Sequence, residues 1–294
     1  MTFSNREDFR NKGVLKLSSV IDIEKILDAQ SYLWQEVKHK FSINIDEPST
    51  WFSNAHNPVG DAGAKRLNGM GSIMRELKAS GKLDEIERAI QSSIDQVFGT
   101  HTWRPLDLWY SLLSFPSSES AWNVPHKSWH CDEPAVVGDA EPWSLFVFVF
   151  LDNVTVDMGP TTVVSGSHRR AERLAKTLGT QNHEALINAF ESVNSGLFES
   201  PKEVTLLPMD QVLDLLIQED PWFQELVEEG SPDQRIQRFI EEDNSLYGIK
   251  QKVVTLTGTA GDIIVFDPRC LHTFSANVSD RPRQVLRLDF RRQL

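Results

Sequence analysis

The tetrapeptide Trp129-His130-Cys131-Asp132 sets an imidazole and a carboxylate two positions apart. In extended chain alternate side chains share a face, so His130 and Asp132 project together while Cys131 points the other way. Such a pair can grip one ion, but a catalytic metal needs at least one more protein ligand. His272 is the best-placed candidate, because it follows the apolar run Gly261 to Phe266 after the short turn Asp267-Pro268-Arg269-Cys270-Leu271 and so falls at a strand edge. Two histidines and one carboxylate occupy one face of an octahedral ion and leave three positions open, the donor set associated with non-haem Fe(II) chemistry.

An HxD triplet alone is a weak signal in a chain with 8 histidines and 42 acidic residues. What strengthens it is Arg283, which follows His272 within the run His272 to Arg283 that also holds Asn277, Ser279 and Arg281. A guanidinium on the strand after the distal histidine is placed to hold a carboxylate bidentately, which a dicarboxylic keto acid chelating the ion by its other end requires. Two competing readings exist. A cupin-type metal enzyme that uses no keto acid has no need of Arg283, and a non-catalytic barrel protein would be expected to have lost at least one of His130, Asp132, His272 and Arg283. His168 is a further histidine near the site, and His126 reads as a pocket-rim or turn residue after Pro125.

The elements that must position these groups follow from periodicity. Apolar positions recur at helical spacing in Ile21 to Phe41 and in Ile73 to Phe98, with Asp22 and Asp84 as start residues and a polar loop, Asn54 to Gly71, between them. From Trp103 the pattern becomes short β-branched and aromatic runs: Leu106 to Phe115, Trp143 to Leu151, Thr161 to Ser165, Gln251 to Thr257, Asp262 to Phe266 and Gln284 to Phe290. That is the signature of a jelly roll. Residues 169 to about 249 interrupt it with helical sequence, such as Glu184 to Val193 and Met209 to Ile217, read here as an insertion serving either as a lid or as packing on the outer sheet. The expected organisation is one domain over 1–294, helical to residue 102 and a jelly-roll core over 103–292.

Thirty basic against 42 acidic residues give a net charge of −12, which disfavours phosphate backbones and anionic lipid as partners. The C-terminal Arg281, Arg283, Arg287, Arg291 and Arg292 series reads, Arg283 apart, as a solvated strand face. Two cysteines, Cys131 and Cys270, form no CxxC pattern and suit a reducing compartment, and the longest apolar run, Leu145 to Leu151, is too short to span a bilayer. The expectation is a cytoplasmic protein whose partner is a small molecule, with Trp122, Trp129, Trp143 and Phe115 as core aromatics or a pocket wall.

Three stretches together resemble the phytanoyl-CoA dioxygenase family of Fe(II)/2-oxoglutarate oxygenases: Trp129 to Asp132, Gly159 to His168, and Gly261 through His272, Asn277, Ser279 and Arg283. The likeness spans roughly residues 103 to 292. It implies a double-stranded β-helix of jelly-roll or cupin type, mainly β with α, carrying N-terminal helices and a helical insertion. It further implies Fe(II) on His130, Asp132 and His272, 2-oxoglutarate as cosubstrate on Arg283 with Thr161 as a second contact, and O2 as oxidant. No catalytic side chain beyond the metal ligands is implied. Related halogenases lack the carboxylate, so Asp132 favours hydroxylation of a small metabolite or natural-product intermediate, with release of succinate and CO2. The sequence departs from the family at Ser165, where proline is usual, and at Phe274, where a small polar residue is common.

Overall fold

The structure, a computed structural model, describes residues 2–51, 65–66, 70–137, 142–181 and 205–293. The helix expected at Glu184 to Val193 and most of the loop expected at Asn54 to Gly71 lie outside them.

Helix α1 (Thr2–Lys12) leads into β1 (Val14–Leu17), a strand of 4 residues, too short to register as a pattern in a region that otherwise reads as helical. In α2 (Ile23–Phe41) the buried Ile26, Ala29, Leu33 and Val37 recur at three- and four-residue intervals, and Asp22 caps the helix by accepting the Glu24 amide at 3.1 Å. Where periodicity predicts one helix from Ile73 to Phe98, the chain forms two, α3 (Met70–Ala79) and α4 (Asp84–Phe98). Gly81 separates them, its φ of +77° lying in the left-handed region that glycine adopts without steric cost. Asp84 is the first residue of α4 and not its cap; with Glu85 and Glu87 it places acidic groups where the helix dipole favours them.

The strands that follow β2 (Lys65–Arg66) are β3 (Trp103–Phe115), β4 (Ala135–Val136), β5 (Ser144–Phe150), β6 (Thr161–Ser165), β7 (Thr180–Gln181), β8 (Thr205–Leu207), β9 (Asn244–Leu246), β10 (Ile249–Thr255), β11 (Ile263–Phe266), β12 (His272–Phe274) and β13 (Arg283–Arg292). They form a sheet in the order β1-β11-β5-β13-β3-β2, a second in the order β12-β6-β10-β9, and a small third, β4-β8-β7, with antiparallel pairing throughout. The jelly-roll expectation holds.

Side-chain alternation divides the core into three layers. Leu145, Val147, Val149, Ile263 and Val265 point outward against Ile26, Leu33, Ile73 and Ile90 of the helices. Their neighbours Phe146, Phe148, Phe150, Ile264 and Phe266 point into the barrel with Val163 of β6 and Val285 of β13. Both faces of β5 are therefore dry, which explains its unbroken apolar sequence. On the second sheet Val164 and Val253 face outward and pack with Leu174, Val212, Leu216, Trp222 and Phe223, from α5 (Ser167–Leu178) and the helices Met209–Glu219 and Pro221–Val227. Buried Arg170 fixes that layer by donating to Asp220 at 3.0 Å and to Gln251 at 2.9 Å. Helices of the described part of the insertion thus pack on the outer sheet, and Gly230 and Arg235 also reach Asn123 and Val124. No described helix is long and apolar enough to cross a membrane.

Asp262 ties β1 to the hairpin preceding β11. It accepts the Ser19 amide at 2.9 Å and the Thr259 amide and hydroxyl at 3.0 Å each, and pairs with Lys16 at 3.0 Å. Burial works to raise its pKa, but these amides, Lys16 and the hydroxyl outweigh it and hold the carboxyl at about 2. A carboxyl depressed in the folded state contributes its full stability above its unfolded value near 4, and loses it as pH falls through the folded value. Asp262→Asn is expected to cost about 2 kcal/mol at neutral pH, with most of that gap gone by about pH 2. Urea unfolding of both proteins across that range checks it, and a gap independent of pH would contradict it.

Candidate functional site

His130 and His272 are joined through their backbones. They form an isolated antiparallel bridge in which His130 N donates to His272 O at 3.0 Å and His272 N to His130 O at 2.9 Å. Residues opposite one another on an antiparallel pair project to the same side, and the two imidazole centroids lie 4.2 Å apart. The Asp132 carboxylate meets both rings, with Oδ1 3.7 Å from His130 Nε2 and Oδ2 3.4 Å from His272 Nε2. The three ligand atoms lie within 4.8 Å of one another, and this is the only such group of His, Cys, Asp and Glu among the described residues. The sequence suggests a regular strand here, whereas only His130 makes a bridge; the chain then bends, and β4 begins after Pro134, which has no N–H for a ladder. Alternation survives: Cys131 turns to the opposite side and donates its thiol to Arg269 O at 3.2 Å.

The ring nitrogens are already assigned by their neighbours. His130 Nδ1 lies 2.8 Å from Ser128 O and His272 Nδ1 3.0 Å from Cys270 O. A carbonyl only accepts, so each Nδ1 carries the proton and each Nε2 keeps its lone pair for a metal. Burial acts to raise the pKa of Asp132, but its neighbours, Arg287 among them, outweigh it and keep the carboxyl below the usual range. Two imidazole Nε2 atoms and an ionised carboxylate are the donor set a divalent transition ion takes.

One turn orients all of this. Asp267 Oδ1 accepts both Arg269 N and Arg269 Nε at 3.0 Å, and Oδ2 accepts Arg269 Nη2 at 2.8 Å. Held that way, the turn directs Pro268 O to the Asp132 amide at 2.9 Å, Arg269 O to Cys131 and Cys270 O to His272. His168 stands behind it, buried, with Nδ1 3.2 Å from Cys270 Sγ and Nε2 3.0 Å from Arg10 O. It is outside the metal group. Burial pushes both thiols, Cys131 and Cys270, up from the ordinary cysteine range, which leaves them unreactive.

Beyond the metal group the barrel interior holds a second polar zone. In the β6–β12 register His272 faces Val163 and Phe274 faces Thr161, so Thr161 shares the interior face while Thr162 turns outward. The Thr161 hydroxyl is buried without a hydrogen-bond partner. Gly159 allows this approach: its φ is +70°, and a Cβ there would stand 2.6 Å from the Asn277 amide. Arg283, 3% exposed, opens β13 opposite Ser114 and donates to its hydroxyl at 3.3 Å. Asn277 sets the lead-in to that strand, accepting the Ser279 amide at 3.1 Å and donating to Arg281 O at 2.9 Å.

The arginine series on β13 differs from its reading as a solvated face. Arg283, Val285, Arg287, Asp289 and Arg291 take alternate positions, and all of them point inward. Arg287 Nη1 comes within 3.9 Å of Asp132, and its guanidinium stacks 3.9 Å from the Phe146 ring and 4.4 Å from the Tyr110 ring. Arg287 and Asp289 line a cavity of about 390 Å³ that also takes in Asp132 and Glu133. Burial pushes the Asp289 carboxyl up to about 6, against Arg287. Their alternation with Arg283 along one strand was the signal in the sequence for these residues. A second cavity, of about 320 Å³, lies beside Phe274 and is lined by His126 and Lys127. Trp122, Trp129 and Phe115 are core, and Trp143 is half-buried.

Comparison with known proteins agrees with this geometry. The family model for phytanoyl-CoA dioxygenase (PhyH) matches residues 74–285. The chain is similar in fold to the epimerase SnoN in complex with Fe3+, alpha ketoglutarate and nogalamycin RO, at 16% identity over 99% of this chain and 83% of that one with a TM-score of 0.50. It is also similar to the non-heme alpha ketoglutarate dependent carbocyclase SnoK from nogalamycin biosynthesis, at 16% identity over 99% and 84% with a TM-score of 0.52. No curated protein matches.

Because the Asp267–Arg269 pair is buried, removing one partner leaves the other charge uncompensated at about 3–5 kcal/mol. Asp267→Asn is expected to lower the melting temperature accordingly and, by releasing the carbonyls that orient His272 and Asp132, to weaken Co(II) binding roughly 10- to 100-fold. Calorimetric melting and an optical Co(II) titration read the two effects. Weaker folding with unchanged Co(II) affinity would restrict the turn to a stabilising role.

Proposed function

Since the chain belongs to the phytanoyl-CoA dioxygenase family, whose model takes in residues 74–285, we propose that it is an Fe(II)/2-oxoglutarate-dependent oxygenase that hydroxylates a small metabolite or natural-product intermediate. The observation that carries this reading is the convergence of His130, Asp132 and His272 in a barrel whose interior also holds the buried guanidinium of Arg283. Iron bound to those three ligands, with 2-oxoglutarate and O2, would supply the oxidising chemistry, the keto acid being split to succinate and CO2.

The remaining work belongs to the chain's own residues. Arg283 holds the far carboxylate of the keto acid by charge-assisted hydrogen bonds, and the unpartnered Thr161 hydroxyl is available as a second donor. The carbonyls of Ser128 and Cys270 keep both imidazoles in the metal-binding tautomer. Phe146, Phe148 and Phe266 line the interior and exclude water from it. The epimerase and carbocyclase of similar fold illustrate that the fold leaves the reaction outcome open; the intact carboxylate of Asp132 is what supports oxygen insertion. We read residues 1–294 as one oxygenase unit, and the two buried free thiols support a reducing, cytoplasmic setting.

Anaerobic titration of the Fe(II)-loaded protein with 2-oxoglutarate tests the reading. A weak visible metal-to-ligand charge-transfer band is expected on bidentate chelation. Arg283→Ala should raise the 2-oxoglutarate dissociation constant roughly 10- to 150-fold, the equivalent of losing about 1.5–3 kcal/mol of charged hydrogen bonding. Bound iron without a band would defeat the reading in favour of a cupin-type enzyme that uses no keto acid.

A further inference from the structure

Past Arg283 the inward face of β13 carries charge at three alternate positions, Arg287, Asp289 and Arg291, and Glu133 approaches it from the residue after Asp132. Arg287 Nε stands 2.8 Å from Asp289 Oδ1 with Nη2 3.1 Å from Oδ2, and Arg291 Nη1 stands 3.8 Å from Glu133 Oε1. The formal charges of this wall, two positive and two negative, cancel. The same cavity is lined by Leu108 and Tyr110 of β3, the strand paired with β13, which keep 49% and 39% of their surface exposed. The cavity, at about 390 Å³, is in the size range of small-molecule sites and reaches the metal ligand Asp132.

We propose that this cavity is the substrate subsite of the oxygenase proposed above, an inference that rests on that reading, and that it takes a neutral polyhydroxylated molecule with one apolar face, of the pyranoside class. The wall offers guanidinium donors and carboxylate acceptors in alternation, spaced by about 6.6 Å along the strand. Hydroxyl groups both donate and accept, so a polyol answers both kinds of group, while Leu108 and Tyr110 take an apolar ring face or aglycone. Other ligand chemistries fit worse. A polyanion such as an acyl-CoA thioester meets Asp289 and Glu133 with no surplus of positive charge, and an aliphatic chain offers these paired guanidinium and carboxylate groups no hydrogen bond of its own. A simple cation meets the two arginines.

The test uses Fe(II)-loaded protein saturated with 2-oxoglutarate under argon. It is titrated with 4-nitrophenyl β-D-glucoside, galactoside and mannoside, with 4-nitrophenyl β-D-glucuronide, and with decanoyl-CoA, binding being read from perturbation of the charge-transfer band and from the thermal shift. At least one neutral hexoside is expected to bind about tenfold more tightly than the glucuronide and the thioester. Asp289→Asn should weaken that hexoside about tenfold with the 2-oxoglutarate dissociation constant unchanged. The subsite assignment is overturned if no hexoside binds at millimolar concentration, if the glucuronide or thioester binds as well or better, or if Asp289→Asn has no effect. A band missing from wild-type protein defeats the oxygenase reading itself, whereas a normal band with any of those three outcomes defeats only the substrate class.

Discussion

The bidentate pair between Asp267 and Arg269 spans only two residues, yet it fixes a turn whose successive carbonyls reach Asp132, Cys131 and His272. His130 and His272 are far apart in sequence, and their alignment would be costly to hold by side-chain contacts alone. The turn solves this locally, because its geometry is set by contacts two residues apart and the bridge adds only backbone hydrogen bonds. Its back is held from the other end of the chain: the Asp267 amide donates to Gly13 O at 2.8 Å, and a Cβ on Gly13 would stand 2.2 Å from Cys270 Sγ. Gly13, the residue leading into β1, is therefore part of the metal group's support.

The barrel interior is organised around that group. An aromatic band, Phe146, Phe148, Phe150 and Phe266, fills the middle, and the Phe266 and His272 ring centroids lie 4.9 Å apart. Polar residues occur on either side of it: Thr161, Ser114 and Arg283 at one end of β13, and Arg287, Asp289, Arg291 and Glu133 toward the other. Burying guanidinium and carboxylate groups costs several kcal/mol each unless they are paired or meet a ligand. Arg287 pairs with Asp289 and Arg291 with Glu133, which offsets part of that cost, and the cavity these pairs share is the physical ground for reading this zone as a site. The raised pKa of Asp289 is the same cost seen in its titration.

The sequence made the metal group legible because its chemistry is carried by residue types at fixed short spacing, HxD and a histidine after a strand and turn. The jelly roll was legible because β-branched and aromatic runs recur between turn residues, and Asp22 was legible as a cap. What was lost had physical causes. A strand of 4 residues, β1, has too few positions to show alternation, and Gly81 divides a helical pattern whose apolar period continues across it. Arg287 and Arg291 were read as solvated because arginine is usually exposed. Their parity with Arg283 argued otherwise, but parity says which residues share a face and not whether that face is wet. The link from Asp267 to Arg269 is a side-chain geometry that no periodicity encodes.

Where the wall of the larger cavity sits bears on how such a protein acquires its substrate. Its polar and apolar sides come from β13 and β3, paired strands of one sheet, and not from loops. Side chains on paired strands are held more rigidly than side chains on loops, so a recognition surface there is preorganised. The pairing of these strands shifts register between Leu288 and Phe290, opposite Pro105, which has no N–H to keep the ladder in step. A bulge re-aims the residues beside it, and Asp289 lies at that shift. The His130, Asp132 and His272 group is oriented by the Asp267 turn, whereas Leu108, Tyr110 and Arg291 project from β3 and β13, so changes at those positions leave that turn untouched. One barrel can keep its metal chemistry and alter what it accepts by substituting a few inward positions downstream of the anchor, which is why likeness of fold to an epimerase and a carbocyclase leaves the substrate to be argued from these side chains.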